Sequence, residues 1–113
     1  DSIESITADE LEKRLAGEIK VLDSRKTSEY LSEHINDEKV VSYPLNSINE
    51  SIGELEKNET YHIHCGGGYR SMIAASILKA RGFDKVIDVA GGFASIKETG
   101  LELTEYVCPS TLA

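Results

Sequence analysis

Thr60-Tyr61-His62-Ile63-His64-Cys65-Gly66-Gly67-Gly68-Tyr69-Arg70-Ser71 is the stretch on which the fold turns. Thr60 to His64 is a β-branched and aromatic run suited to a strand, and it stops at a cysteine and three glycines. From Ser71 onward Met72, Ile73, Ala75, Ile77 and Leu78 are apolar on most sides, as in a helix packed against a sheet. Arg81-Gly82 closes that helix with a late cation and a C′ glycine.

Working outward, the same alternation repeats. Thr7-Ala8-Asp9-Glu10 reads as a capping box, with Glu10 reaching back to the cap, and predicts a first helix over 8–16. Lys20-Val21-Leu22-Asp23 is a short buried strand, 27–33 is helical, and Val40-Val41-Ser42-Tyr43 is a strand closed by Pro44. Ile48, Ile52 and Leu55 mark an amphipathic helix that Gly53 weakens but need not break. Residues 85–89 give another strand, and Gly91-Gly92 leads into a last short helix over 93–98. Alternating strands and helices predict a three-layer α/β domain with a mainly parallel sheet of about five strands, covered on both faces.

The 113 residues suit one compact domain. A net charge of -8 opposes non-specific binding to nucleic acid or anionic membrane, and no apolar run reaches the length of a membrane span. Cys65 and Cys108 lack the dense spacing of a secreted disulfide scaffold, so a reducing cytoplasmic setting is expected. Asp1 rather than Met opens the chain, the pattern of a piece cut from a longer protein.

In parallel α/β sheets ligands collect beyond the carboxyl ends of the strands, where Cys65 stands. Glycines there can turn successive amides inward, and the helix that follows points its positive end at the same spot. A thiol in that cradle is expected to titrate low, with Arg70 adding a fixed positive charge. These features single out Cys65 as a nucleophile and Gly66, Gly67, Gly68, Tyr69, Arg70 and Ser71 as its substrate-binding loop. The competing reading is a small buried hydrophobe beside a tight turn.

With those residues in view the chain resembles the rhodanese family. Val21-Leu22-Asp23-Ser24-Arg25, then Glu29-Tyr30 and His34-Ile35, resembles its early motif. His62-Ile63-His64-Cys65 and the loop resemble its catalytic strand and loop, and Val89-Ala90-Gly91-Gly92-Phe93 with Gly100 resembles its Gly-Gly turn and closing glycine. The resemblance covers about 6–103, leaving 104–113 as a short tail. Glu33 departs from the family's glycine before His34, and 36–39 is about two residues longer than usual. The resemblance implies a rhodanese-like fold and a sulfurtransferase without cofactor. Cys65 would take sulfane sulfur as a persulfide from thiosulfate, glutathione persulfide or a similar donor, and pass it to a thiol or cyanide. A non-catalytic persulfide carrier or docking domain is the alternative. The run 65–73 looks especially like rhodanese domains fused to metallo-β-lactamase-fold persulfide dioxygenases, which implies a persulfide-metabolising partner.

Rhodanese-like folds also include phosphatases, and arsenate reduction is a related alternative. A phosphatase loop places arginine six residues after the cysteine, where this chain has Ser71; Arg70 at the fifth position gives the shorter loop that resembles sulfurtransferases. Asp23, Arg25 and Glu29 are expected to support the site, Arg25 pairing with Glu29 at helical spacing. His34 is expected to be structural. His62 and His64 share a strand face beside Cys65, but without a second pair of ligands they predict no metal site. Tyr69 is expected at the pocket rim, Arg70 against an anionic donor, and Cys108 is read as a tail thiol.

Overall fold

A computed structural model describes residues 3–45, 48–67 and 69–107. Five strands, β1 (Glu4–Ile6), β2 (Lys20–Asp23), β3 (Val40–Ser42), β4 (Tyr61–His64) and β5 (Val86–Val89), form one sheet in the order β1-β5-β4-β2-β3, every neighbouring pair parallel. The three-layer expectation is met, and the sheet is wholly rather than mainly parallel. Among the described residues the α-helices are α1 (Ala8–Arg14), α2 (Thr27–Ser32), α3 (Ile48–Ser51), α4 (Arg70–Ala80) and α5 (Gly92–Ile96).

Strand alternation assigns the two layers. On one face Val21, Ile87 and Val89 join Leu11, Leu15, Phe93 and Ile96, so α1 and α5 cover it. On the other, Leu22, Tyr61, Ile63 and Val86 join Ile48, Ala74, Ala75 and Leu78, so α3 and α4 cover that one. Both faces of β2, β4 and β5 are buried, as parallel strands require. No helix among the described residues is long and apolar enough to cross a membrane.

Three local expectations change. Thr7 caps α1 by accepting from the Glu10 amide at 3.2 Å, but the Glu10 carboxylate turns to Arg14 Nε at 3.1 Å instead of back to the cap. The helix predicted from Ile48 to Leu55 stops at Ser51 and tightens into a 3-10 turn over Ile52–Glu54, with Gly53 inside the tightened turn. Beyond the last helix, Ile35 bridges Leu103, and Val107 donates to the Ser32 carbonyl at 2.8 Å, so 103–107 is fastened along α2 rather than trailing. Cys108 lies outside the described residues.

Candidate active site

Cys65 follows β4, the middle strand, and is fully buried. Two neighbouring segments fix its backbone. Ser24, just past β2, donates both its amide (2.8 Å) and its hydroxyl (2.9 Å) to the His64 carbonyl. From the other side the start of α5 reaches in: Phe93 N donates to the Cys65 carbonyl and Ala94 N to the Gly66 carbonyl at 3.0 Å. That approach depends on the Gly91-Gly92 turn. Gly91 has φ +79°, and a Cβ there would fall 2.0 Å from Ser95 Oγ.

Of the two described loop glycines, close packing calls for one only, Gly66, since a Cβ at Gly67 would meet nothing within 4 Å. Neither Gly66 nor Gly67 has a positive φ. Gly66 is instead a close-approach position, because a Cβ there would meet Arg70 Nη2 at 2.9 Å. Gly68 lies outside the described residues. Arg70 opens α4 and folds its guanidinium back over Gly66, where Glu29 clamps it through two bonds, Nη1–Oε1 at 2.7 Å and Nη2–Oε2 at 3.2 Å. The pair holds the Glu29 carboxyl below its ordinary range and pushes Arg70 up, the mutual hydrogen bonds being the largest cause in each.

The pairing of Arg25 with Glu29 is therefore corrected. Arg25 precedes α2 and turns back to Asp23, with Nε–Oδ1 at 2.9 Å and Nη2–Oδ2 at 2.7 Å, and Nη2 also reaches the Glu33 carbonyl at 2.7 Å. The Asp23–Arg25 pair is buried, and its guanidinium lies 4.0 Å over the Phe93 ring. His64 sits on the same side, stacked on Phe93, with Nε2 3.7 Å from Asp23 Oδ2 and Nδ1 3.4 Å from the Cys65 carbonyl. Burial outweighs the nearby carboxylate and keeps the His64 imidazole below its ordinary value.

On the α4 side Ser71, fully buried, donates its hydroxyl to Asp88 Oδ1 at 2.5 Å, and Ser5 donates to Oδ2 at 3.3 Å. The Ser71 hydroxyl is thus engaged inside the domain, leaving its amide as one of the first-turn donors of α4. Sequence reading missed Asp88, although a carboxylate inside the apolar run Val86-Ile87-Asp88-Val89 is a visible signal. Tyr69 is largely exposed. His34 is structural, stacked on Tyr30 with Nδ1 2.7 Å from the Tyr30 carbonyl. His62 meets Arg14 through Nε2 at 3.1 Å, so the two strand histidines serve separate contacts. Among the described residues no group of three or more His, Cys, Asp or Glu side chains is placed to hold a metal ion. A cavity of about 260 Å³ opens beside the loop, lined by Ser24, Lys26, Leu45 and Arg70.

With this geometry in place, comparison with known proteins is decisive about kinship. Residues 7–99 match the Rhodanese-like domain family. The chain belongs to that family. A rhodanese-like domain protein from Staphylococcus aureus superposes with TM-score 0.79 at 32% identity, covering 88% of this chain and 97% of that one. The NAD-dependent persulfide reductase of A. fulgidus contains a similar domain, with TM-score 0.67 at 34% identity over 81% of this chain and 15% of its own. The Bacillus subtilis (strain 168) protein YrkF, provisionally named a sulfur carrier protein, is 39% identical over 74 residues, 66% of this chain and 39% of its own. With slr1261 of Synechocystis (44% of that protein covered), the chain spans about two fifths of the length of these curated relatives. Membership in the rhodanese-like family and kinship with sulfur-handling proteins are thereby established.

Proposed function

We propose that the domain is a sulfurtransferase that carries sulfane sulfur as a persulfide on Cys65. The observation that carries this reading is the position of Cys65: it directly follows the central strand, and α4, whose first-turn amides have no partner within the helix, begins five residues later. Family membership and the sulfur-handling relatives support it.

The chemistry balances without a cofactor. The Cys65 thiolate attacks the outer sulfur of a persulfide R–S–SH; the new Sγ–S bond forms as the donor S–S bond breaks, R–S⁻ leaves, and the proton stays on the transferred sulfur. With thiosulfate the leaving group is sulfite. An acceptor thiolate or cyanide then takes the outer sulfur and regenerates the Cys65 thiolate. Loop and helix amides supply the dipoles that hold the terminal sulfur.

Full burial of Cys65 favours a second reading, a carrier that releases sulfur only to a partner able to open the loop. Intact-mass measurement after treatment with glutathione persulfide or thiosulfate tests the shared core of both readings. A single-sulfur adduct that Cys65→Ser removes is expected; an adduct that survives in Cys65→Ser refutes the proposal, as does no adduct with either donor. Sustained thiocyanate release with cyanide then selects the enzyme, and a loaded but inert protein selects the carrier.

A further inference from the structure

Both guanidinium groups beside the loop are already neutralised. Arg25 is held by Asp23 and Arg70 by Glu29, each through two or more hydrogen bonds. A small inorganic dianion arriving at Cys65 therefore meets paired charges, on a chain whose net charge is -8. Lys26 differs. It is exposed, lines the same cavity as Arg70, and makes no ion pair among the described residues; its backbone is tied, the amide donating to Glu29 Oε1 at 3.1 Å and the carbonyl accepting the Tyr30 amide at 3.0 Å.

The cavity itself points to an organic ligand. At about 260 Å³ it holds the equivalent of roughly nine waters at about 30 Å³ each. That exceeds what a small inorganic anion fills and approaches the roughly 300 Å³ at which small-molecule pockets begin. Its wall is mainly apolar, and Leu45 and the exposed Lys26 both line it. Arg70 joins this cavity to the sulfur site: it lines the cavity, and its guanidinium lies against Gly66, the residue after Cys65.

We propose that this cavity seats the organic half of a low-molecular-weight persulfide bearing a carboxylate, that Lys26 binds that carboxylate, and that Glu29, by neutralising Arg70, disfavours thiosulfate. The inference rests on the proposed sulfur transfer through Cys65 and names its donor class. Lys26 is the specificity-determining residue, and Glu29 positions Arg70. The reacting sulfur enters next to Gly66 while the rest of the donor lies between Leu45 and Lys26.

The test compares the rate of persulfide loading on Cys65, by rapid quench and intact mass, with three probes: glutathione persulfide (carboxylates), cysteamine persulfide (an ammonium group and no carboxylate) and thiosulfate. The wild-type domain is expected to load glutathione persulfide several-fold faster than cysteamine persulfide. Lys26→Ala is expected to shrink that ratio about threefold, the size of an exposed charge pair, Lys26→Glu about tenfold, and Lys26→Arg to restore it. Glu29→Gln is expected to raise thiosulfate loading relative to glutathione persulfide. Equal loading of the two organic persulfides by the wild type, or a Lys26→Glu variant that slows all three donors alike, overturns the inference while leaving sulfur transfer intact. Failure of every donor to load Cys65 removes the sulfur-transfer reading itself, so the two failures are distinguishable.

Discussion

Replacing Asp23 by asparagine removes one negative charge from a deeply buried ion pair and changes little else in shape. Asp23 is fully buried; its Oδ1 accepts both the Arg25 amide (3.0 Å) and Nε (2.9 Å), and its Oδ2 accepts Nη2 (2.7 Å). Asparagine keeps one acceptor but turns an NH₂ group toward Nη2, leaving the guanidinium uncompensated. Breaking a buried pair in this way costs about 3–5 kcal/mol. Two contacts soften the loss: Nη2 still reaches the Glu33 carbonyl at 2.7 Å, and the guanidinium still lies 4.0 Å over Phe93. The lower end, about 3 kcal/mol, is therefore expected, against a total stability of roughly 5–15 kcal/mol for a small domain. In thermal unfolding that is a fall of roughly 10–20 °C. Urea titration supplies the free energy independently, as a lower midpoint with unchanged slope. Removing both charges with Asp23→Leu and Arg25→Met leaves no orphan and should cost well under the sum of the single changes. A loss below about 1 kcal/mol for Asp23→Asn, or strict additivity in the double variant, would show that water reaches this pair and refute the reasoning.

Acid should destabilise the fold before its carboxylates titrate. Burial holds both His62 and His64 below the ordinary value of 6.5, so the unfolded chain binds protons that the native state refuses. Stability from these groups is complete above pH 6.5 and is lost as pH falls below it, by up to about 1.4 kcal/mol per pH unit for each imidazole; a urea midpoint that does not move between pH 7.5 and 5.5 contradicts this. Gly91→Ala forces a left-handed residue to carry a Cβ 2.0 Å from Ser95 Oγ. A loss of about 1–2 kcal/mol from the backbone is expected even when Ser95→Ala removes the clash, and full recovery in that double variant would show that φ is not the cause. Gly66→Ala drives the Arg70 guanidinium off the loop and should cost about 1 kcal/mol or less, the worth of a half-exposed pair. In an Arg70→Ala background the same change should be close to silent in thermal unfolding.

The parts of the fold that were legible in the sequence are those decided locally. The run from Thr60 to Leu78 carries its own strand, breaker and helix signals, and β4, the loop and α4 fall where those signals put them. β1 was not legible. Glu4-Ser5-Ile6 is a three-residue edge strand whose only warrant is its pairing with Ile87, Asp88 and Val89, far along the chain. The Arg25–Glu29 expectation failed for a definite reason: four-residue spacing joins side chains only inside a helix, and α2 begins at Thr27, leaving Arg25 on the approach with its fork aimed back at Asp23. Glu29 found Arg70 instead, 41 positions away, which no local pattern encodes.

The pairing of both arginines shifts the electrostatic burden of the site. Asp23 neutralises Arg25 on the α5 side and Glu29 neutralises Arg70 over Gly66, while Asp88 on the α4 side accepts hydroxyls from Ser71 and Ser5. Net charge next to Cys65 is therefore small, and an anionic sulfur there must rely on oriented dipoles, the amides at the start of α4 and in the loop. Dipoles of this kind act at short range and hold their direction only if the backbone is fixed. The frame is built to fix it: Ser24 holds the His64 carbonyl, Phe93 and Ala94 hold the carbonyls of Cys65 and Gly66, and Ser71 is tied to Asp88. Since these anchors are buried and the stabilisation is not carried by exposed charge, loading of Cys65 by a neutral donor should vary little with ionic strength, whereas a donor recognised through exposed Lys26 should weaken as salt rises.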